Sequence, residues 1–241
     1  MKKKIPLFLV IAAVAFAAWK ISHQQEFLYA GTVEATYVDL SPQVTTTIGS
    51  VEVREGDPVK NVQDLVHMTG DDIKLAADIA ERDFQRALKL RNSGSMPQES
   101  FDRIRFRRDD AVLRSSWCVI KSPLDGTVID RYHEPGELVN PSMKLLTLAD
   151  LDHVYAYIYV PQTMLAHVQL DQKLEGLLPE LDMKRMEGRI THIRDQAEFT
   201  PKNVQTREER TRLVYGIKVS FDNPGHVLKP GMTVEVKLPE K

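Results

Sequence analysis

A stretch of this chain occurs twice, and a strongly charged segment lies between the copies. Residues 46–66 align without a gap on residues 126–146. Ile48 matches Val128, Gly56 matches Gly136, Asp57 matches Glu137 and Val59 matches Val139; Leu65 and Val66 match Leu145 and Leu146. Each copy reads as short strands around a turn, Glu55-Gly56-Asp57 in the first and Glu134-Pro135-Gly136-Glu137 in the second. Glycine allows the positive φ such turns need, and the acid can accept from nearby backbone N–H groups. Ser41-Pro42 and Ser122-Pro123 open the two copies. A half-motif of three or four short strands cannot bury both of its faces, but two copies can pack on each other as a small sandwich. The segment between them must then grow out of that domain.

That segment, residues 71–116, has helical spacing. Ile73, Ala77, Ala80, Phe84 and Ala87 fall on one helix face. Asn92-Ser93-Gly94-Ser95 breaks the helix, with Gly94 in the C′ position. Pro97 is tolerated in the first turn of a second helix, whose face is Phe101, Ile104, Arg108, Ala111 and Ser115. So short a break predicts antiparallel neighbours, an α-helical hairpin with arms about 30 Å long.

From residue 150 onward the period is two. Val154, Ala156, Ile158 and Val160 alternate with Tyr155, Tyr157 and Tyr159. One face each is read for Leu213, Tyr215, Ile217 and Val219, and for Met232, Val234, Val236 and Leu238. Residues 189–193 are a further strand, 167–187 are open to a strand or a short helix, and 201–212 read as a solvated loop. Pro161, Pro179, Asn223-Pro224-Gly225 and Pro230-Gly231 punctuate the strands, which predicts a small closed antiparallel barrel.

At the N-terminus, Lys2, Lys3 and Lys4 precede the uncharged run Ile5–Trp19, closed by Lys20. The basic flank orients the N-terminus inward with the remainder translocated. The run is at the lower edge of spanning length if it reaches Ile21. Two readings stand: an uncleaved anchor at 5–21, or a signal peptide cut after the small residues around Ala15–Ala17. Both export residues 24–241.

Composition narrows the function. With 32 Lys and Arg against 34 Asp and Glu, the net charge is -2, unlike a general nucleic-acid binder. The single cysteine, Cys118, excludes an internal disulfide and a multi-cysteine metal site, and no two histidines have metal-ligand spacing. The turn acids Glu55, Asp57, Glu134 and Glu137 form no evident facing acid/base pair, and no Ser or Cys sits in a nucleophile elbow. The expectation is a non-enzyme with no cofactor, no metal and no catalytic residue.

The order of these parts resembles the hemolysin-D-type membrane-fusion proteins, the periplasmic adaptors of tripartite efflux and secretion systems. The stretches that carry the resemblance are Val51–Lys60, Ile120–Val128, Pro135–Val139 and Leu228–Val234. Ala197–Lys202 with Leu213–Tyr215 looks most like adaptors of ABC-type exporters. Met143-Lys144 resembles a biotin-carrier pair but lies on the wrong turn. The resemblance implies a mainly β chain with an α-helical hairpin. It assigns 1–23 to an anchor or signal, 27–70 and 117–150 to a split lipoyl-like domain, 71–116 to an antiparallel coiled-coil hairpin and 151–239 to a β-barrel. It implies an oligomeric conduit, a hexamer, between an inner-membrane transporter of ABC type and an outer-membrane channel. Localisation would be the inner membrane with the bulk in the periplasm, or soluble periplasmic if the signal is cut. At family hairpin tips an Arg, a Leu and a Ser meet the channel; Arg86 and Leu90 match, but Pro97 stands at the Ser position. Thr45-Thr46-Thr47 replaces the usual Ser-Gly pair. The alternative is an anchored periplasmic scaffold for a transporter with no outer-membrane contact.

Overall fold

The computed structural model describes residues 28–199 and 213–238. The apolar run at 5–21 and the polar stretch at 201–212 lie outside the described residues. Among the described residues no helix is long and apolar enough to cross a membrane. The described residues are mainly β and divide into two compact units, one of residues 35–154 with 223–229, the other of residues 28–34, 155–199, 213–222 and 230–238.

The first unit holds both repeat copies. Strands β2 (Thr46–Val51), β3 (Pro58–Val59) and β4 (Asp64–Met68) come from one copy; β6 (Gly126–Arg131) and β7 (Leu138–Val139) come from the other, with β5 (Val119–Lys121) before it. The copies exchange strands. Pro58 and Val59 of β3 pair with Thr127 and Gly126 of β6, and Thr46 and Thr47 of β2 pair with Val139 and Leu138 of β7. Matched positions are buried alike: Ile48 and Val128, Val59 and Val139, and Leu65 and Leu145 all lie in one core. Alternation puts these residues on the face each half must cover, and neither half could cover it alone.

Two helices, Asp71–Asn92 and Gln98–Ser116, leave this unit between β4 and β5. Gly70 turns the chain into the first helix at φ 49°, and a Cβ there would stand 2.4 Å from the Sγ of buried Cys118. Ser93 caps the first helix and Gly94 follows at φ 74°, the left-handed C′ geometry read from the sequence. Pro97 is the N-cap of the second helix, one position before the first turn.

The second unit is a closed six-stranded barrel. Its order is β12 (Leu213–Asp222), β10 (Lys184–Ile193), β9 (Lys173–Leu178), β13 (Thr233–Lys237), β1 (Leu28–Leu40) and β8 (Leu146–Pro161), and β12 pairs back with β8. The ambiguous stretch 167–187 resolves into β9, the start of β10 and short 3-10 turns at Gln162–His167 and Pro179–Leu181. Three expectations are corrected. Residues 28–34, expected in the lipoyl-like half, close the barrel instead, with Leu28–Thr32 paired to Lys237–Thr233. The faces of β12 also differ. Val214, Ile217, Val219 and Phe221 are buried, whereas Leu213 is exposed and Tyr215 half-buried, because the inward phase slips by one residue at Gly216. Gly176 and Gly188 make room for Phe221: a Cβ on either would come within 2.6 Å of its ring. Residues 223–229, expected in the barrel, belong to the first unit. There the side chain of buried Asn223 donates to the carbonyls of Leu151 and Leu228 and accepts from the Leu228 amide.

Candidate functional site

The acidic turns form no acid/base pair; each carboxylate already holds a partner. The amide of Arg54 donates to Asp57 at 2.8 Å, and the amide of Glu134 donates to Glu137 at 3.2 Å, the same bond in each repeat. Glu55 accepts from the amide of Arg131, whose guanidinium binds Glu134 at 2.6 Å. Glu137 is held below the usual carboxylate range, first by its hydrogen bond with His133 Nδ1 at 2.6 Å and then by the Glu134 amide. Lys144, of the carrier-like Met143-Lys144 pair, is ion-paired with Asp39. That ammonium, followed by the Thr147 hydroxyl donating at 2.7 Å, holds the Asp39 carboxyl low. These groups staple turns, and a solvated, ion-paired Lys144 is not presented on a turn between two halves.

The helix pair is locked by stacked rings and cations. Phe84 and Phe101 meet with centroids 5.7 Å apart, tilted by 41°. The Arg108 guanidinium lies 4.2 Å over Phe84 and that of Arg91 lies 4.4 Å over Phe101. Each such contact contributes about 0.5–1 kcal/mol at an exposed site. They compensate for a seam that is otherwise mostly alanine.

Arg86 and Leu90 lie on one side of this pair. They line a shallow groove of about 570 Å³ together with Ile79, Asp83, Met96 and Ile104. Arg86 is ion-paired with Asp83 one turn away and remains largely exposed. Leu90 is 47% exposed, and the Phe101 ring is held by Phe84 and Arg91. The two residues are therefore side by side, one apolar and one cationic, on an open surface next to the break between the helices. Such a surface can receive another helix.

One feature of the barrel exterior escaped the sequence reading. Arg194 stacks 4.6 Å from Tyr157 while bonding Glu198, and Lys218 Nζ stands 3.7 Å from the Tyr155 ring. Tyr155 and Tyr157 meet edge to face. Phe199 and Leu213 are exposed where β11 (Glu198–Phe199) pairs with β12. The outward tyrosines were legible as a stripe; their cationic partners, Lys218 on β12 and Arg194 just past the end of β10, needed the register.

Residues 153–241 match the CusB-like, beta-barrel domain family. A UPF0194 membrane protein from the asrC 5' region of Acidithiobacillus ferridurans is 42% identical over 118 residues, 49% of this chain and 35% of that protein. The matched stretches span 35–38% of the length of the first curated relatives. Two solved structures share the fold. A MacA–MexA chimera containing the Pseudomonas aeruginosa MexA α-hairpin domain superposes with a TM-score of 0.70 at 18% identity, over 89% of this chain and 81% of the chimera. MacA from Actinobacillus actinomycetemcomitans gives 0.62 at 19% identity, over 89% and 79%. The chain therefore shares its fold with the MacA structures, and its residues 153–241 are similar to the CusB-like, beta-barrel domain family.

Proposed function

We propose that the chain is a non-catalytic periplasmic adaptor that links an inner-membrane exporter to an outer-membrane channel. One observation carries the proposal. The strand-exchanged repeat is split by a helix pair and followed by a closed six-stranded barrel, the layout it shares with the MacA structures. In this reading residues 5–21 are an uncleaved anchor with a cytoplasmic N-terminus. The barrel docks on the transporter, of ABC type as the resemblance at 197–202 and 213–215 suggests. The helix pairs act as a coiled-coil hairpin and stand side by side in a ring of six. One pair cannot enclose a channel, so a conduit requires several copies related by a rotation axis. Arg86 and Leu90 are the proposed channel contact. The alternative of an inner-membrane scaffold without a channel draws on Pro97, which stands at the tip where the family has a hydroxyl.

Protease treatment tests the placement. The chain is expected to resist protease in intact cells, to be digested once the outer membrane is permeabilised, and to keep its N-terminal sequence in the membrane fraction. Resistance in spheroplasts would contradict a periplasmic body. A mature start near Ala18 would replace the anchor with a cleaved signal.

A further inference from the structure

Among the described residues, the outer edges of the helix pair carry exposed apolar side chains. On the first helix Leu75 is 56% exposed and Ile79 is 48% exposed; on the second Phe106 is 71% and Leu113 is 53% exposed. Successive residues advance by about 100° around a helix. Leu75 and Arg82 therefore point directly away from the seam of Ile73, Ala77 and Phe84, with Ile79 on the adjoining flank that also lines the groove of Arg86 and Leu90. Phe106 and Leu113, two turns apart, point away from the seam of Phe101 and Arg108. Isolated exposed apolar residues are ordinary, but two facing-out stripes on opposite edges of one element mark an interaction surface. Much of the remaining helix surface is occupied by local ion pairs such as Arg103–Glu99 and Arg114–Asp110.

The heights of the two stripes match. Phe84 meets Phe101, Arg108 reaches Glu81 and Phe84, and Arg91 covers Phe101. Carried along both helices, that register sets Leu113 within about half a turn of Leu75 and Phe106 within about half a turn of Arg82. Ile79 falls between the heights of Phe106 and Leu113.

We infer that the two edges form one head-to-tail contact between copies of this chain: Phe106 and Leu113 of one copy seat on either side of Ile79 of the next, with Leu113 against Leu75 and Phe106 beneath Arg82. Copies turned about an axis parallel to the helices stay at one height, so matched heights let the edges meet without a shift. The two edges differ in residue content, which suits a heterologous contact that repeats around a ring. Arginine over phenylalanine is also the pairing that the chain already uses twice inside the helix pair. The inference rests on the adaptor reading for its oligomer and adds to it the residues and the register.

Disulfide trapping in the full-length membrane protein tests the contact. Differently tagged copies carrying Leu75→Cys and Leu113→Cys are coexpressed and oxidised, and the unmodified chain, whose Cys118 is buried, serves as the control. The expected product is a mixed dimer carrying both tags, absent when either variant is expressed alone. A chain with both substitutions should give a ladder of higher oligomers, since the two edges face apart within one copy. Phe106→Asp should abolish the mixed dimer while leaving the thermal melt unchanged, because that side chain is exposed. Leu75→Cys linking to itself, or no mixed dimer from protein that is oligomeric by native mass, would overturn the register. A monomer at membrane concentrations would overturn it as well. Copurification with a transporter from the same cells is scored separately: a mixed dimer without a transporter keeps the contact and removes the adaptor reading, and the converse removes only the contact.

Discussion

The amide of Gly56 donates to the carbonyl of Val128 across 2.8 Å, and Gly136 makes the matching bond to Ile48 at the same distance. Val128 and Ile48 return bonds to the carbonyls of Asp57 and Glu137, at 3.0 and 2.9 Å. Each half thus binds the other through its own turn, which is how two incomplete motifs make one domain while a helix pair separates them in sequence.

Those glycines stand at φ 88° and 96°, and an added Cβ would meet nothing within 4 Å. The cost of Gly56→Ala or Gly136→Ala is therefore conformational alone, about 1–2 kcal/mol for a left-handed residue. Thermal or urea unfolding should show losses of that size for each. An unchanged midpoint would mean that the turn adapts and the exchange of bonds does not depend on it.

Val62 presents the opposite case. It is a β-branched residue at φ 67°, 62% exposed, and its amide donates to the carbonyl of Ser122 at 2.8 Å. The side chain gains little from burial there and disfavours the backbone it occupies. Val62→Gly should raise stability by roughly 0.5–1 kcal/mol after the entropy of the added glycine is subtracted. A lower unfolding midpoint would show that Val62 is held by contacts stronger than its strain.

The stapled carboxylates set the acid limb of stability. Glu137 and Asp39 are lowered in the fold, by His133 and by Lys144 respectively as first causes. A lowered folded pKa means the unfolded chain takes up the proton first. Their contribution is complete above the unfolded values, about 4.3 for Glu and 3.9 for Asp, and is lost as pH falls through the folded ones. Lys144 is raised, chiefly by Asp39, so its contribution is present at neutral pH and lost as pH rises through its folded value. Unfolding followed from pH 6 down to 2 should show a shallower decline for Glu137→Gln than for the unmodified chain, and salt should shrink the difference because both pairs are exposed. An identical acid limb would remove Glu137 from the account.

Local chemistry was the legible part. The Gly56 and Gly136 turns, the helix break at Gly94 and the inward stripes Val154–Val160 and Val234–Leu238 follow from period and from glycine alone. The strand at residues 28–34 was misassigned because its pairing partner, residues 233–237, lies some 200 positions away, and pairing over that separation leaves no local pattern. The phase slip at Gly216 was hidden because Leu213 and Tyr215 are as apolar as the residues that do face inward. At the candidate contact, spacing alone put Arg86 and Leu90 on one helix face. The groove they share with Ile104 of the other helix, and the stacking of Arg91 on Phe101, depend on the packing of two helices.

The central claim is that this chain bridges two membranes. Affinity purification of the full-length chain from chemically crosslinked cell envelopes, followed by mass spectrometry, measures it most directly. The unmodified chain is expected to bring down both an inner-membrane transporter and an outer-membrane channel. Arg86→Asp combined with Leu90→Ser should keep the transporter, lose the channel and change folding stability by no more than about 0.5 kcal/mol per exposed site. Recovery of the transporter alone by the unmodified chain would contradict bridging and leave a periplasmic scaffold, and recovery of the channel by the double variant would contradict the assigned contact.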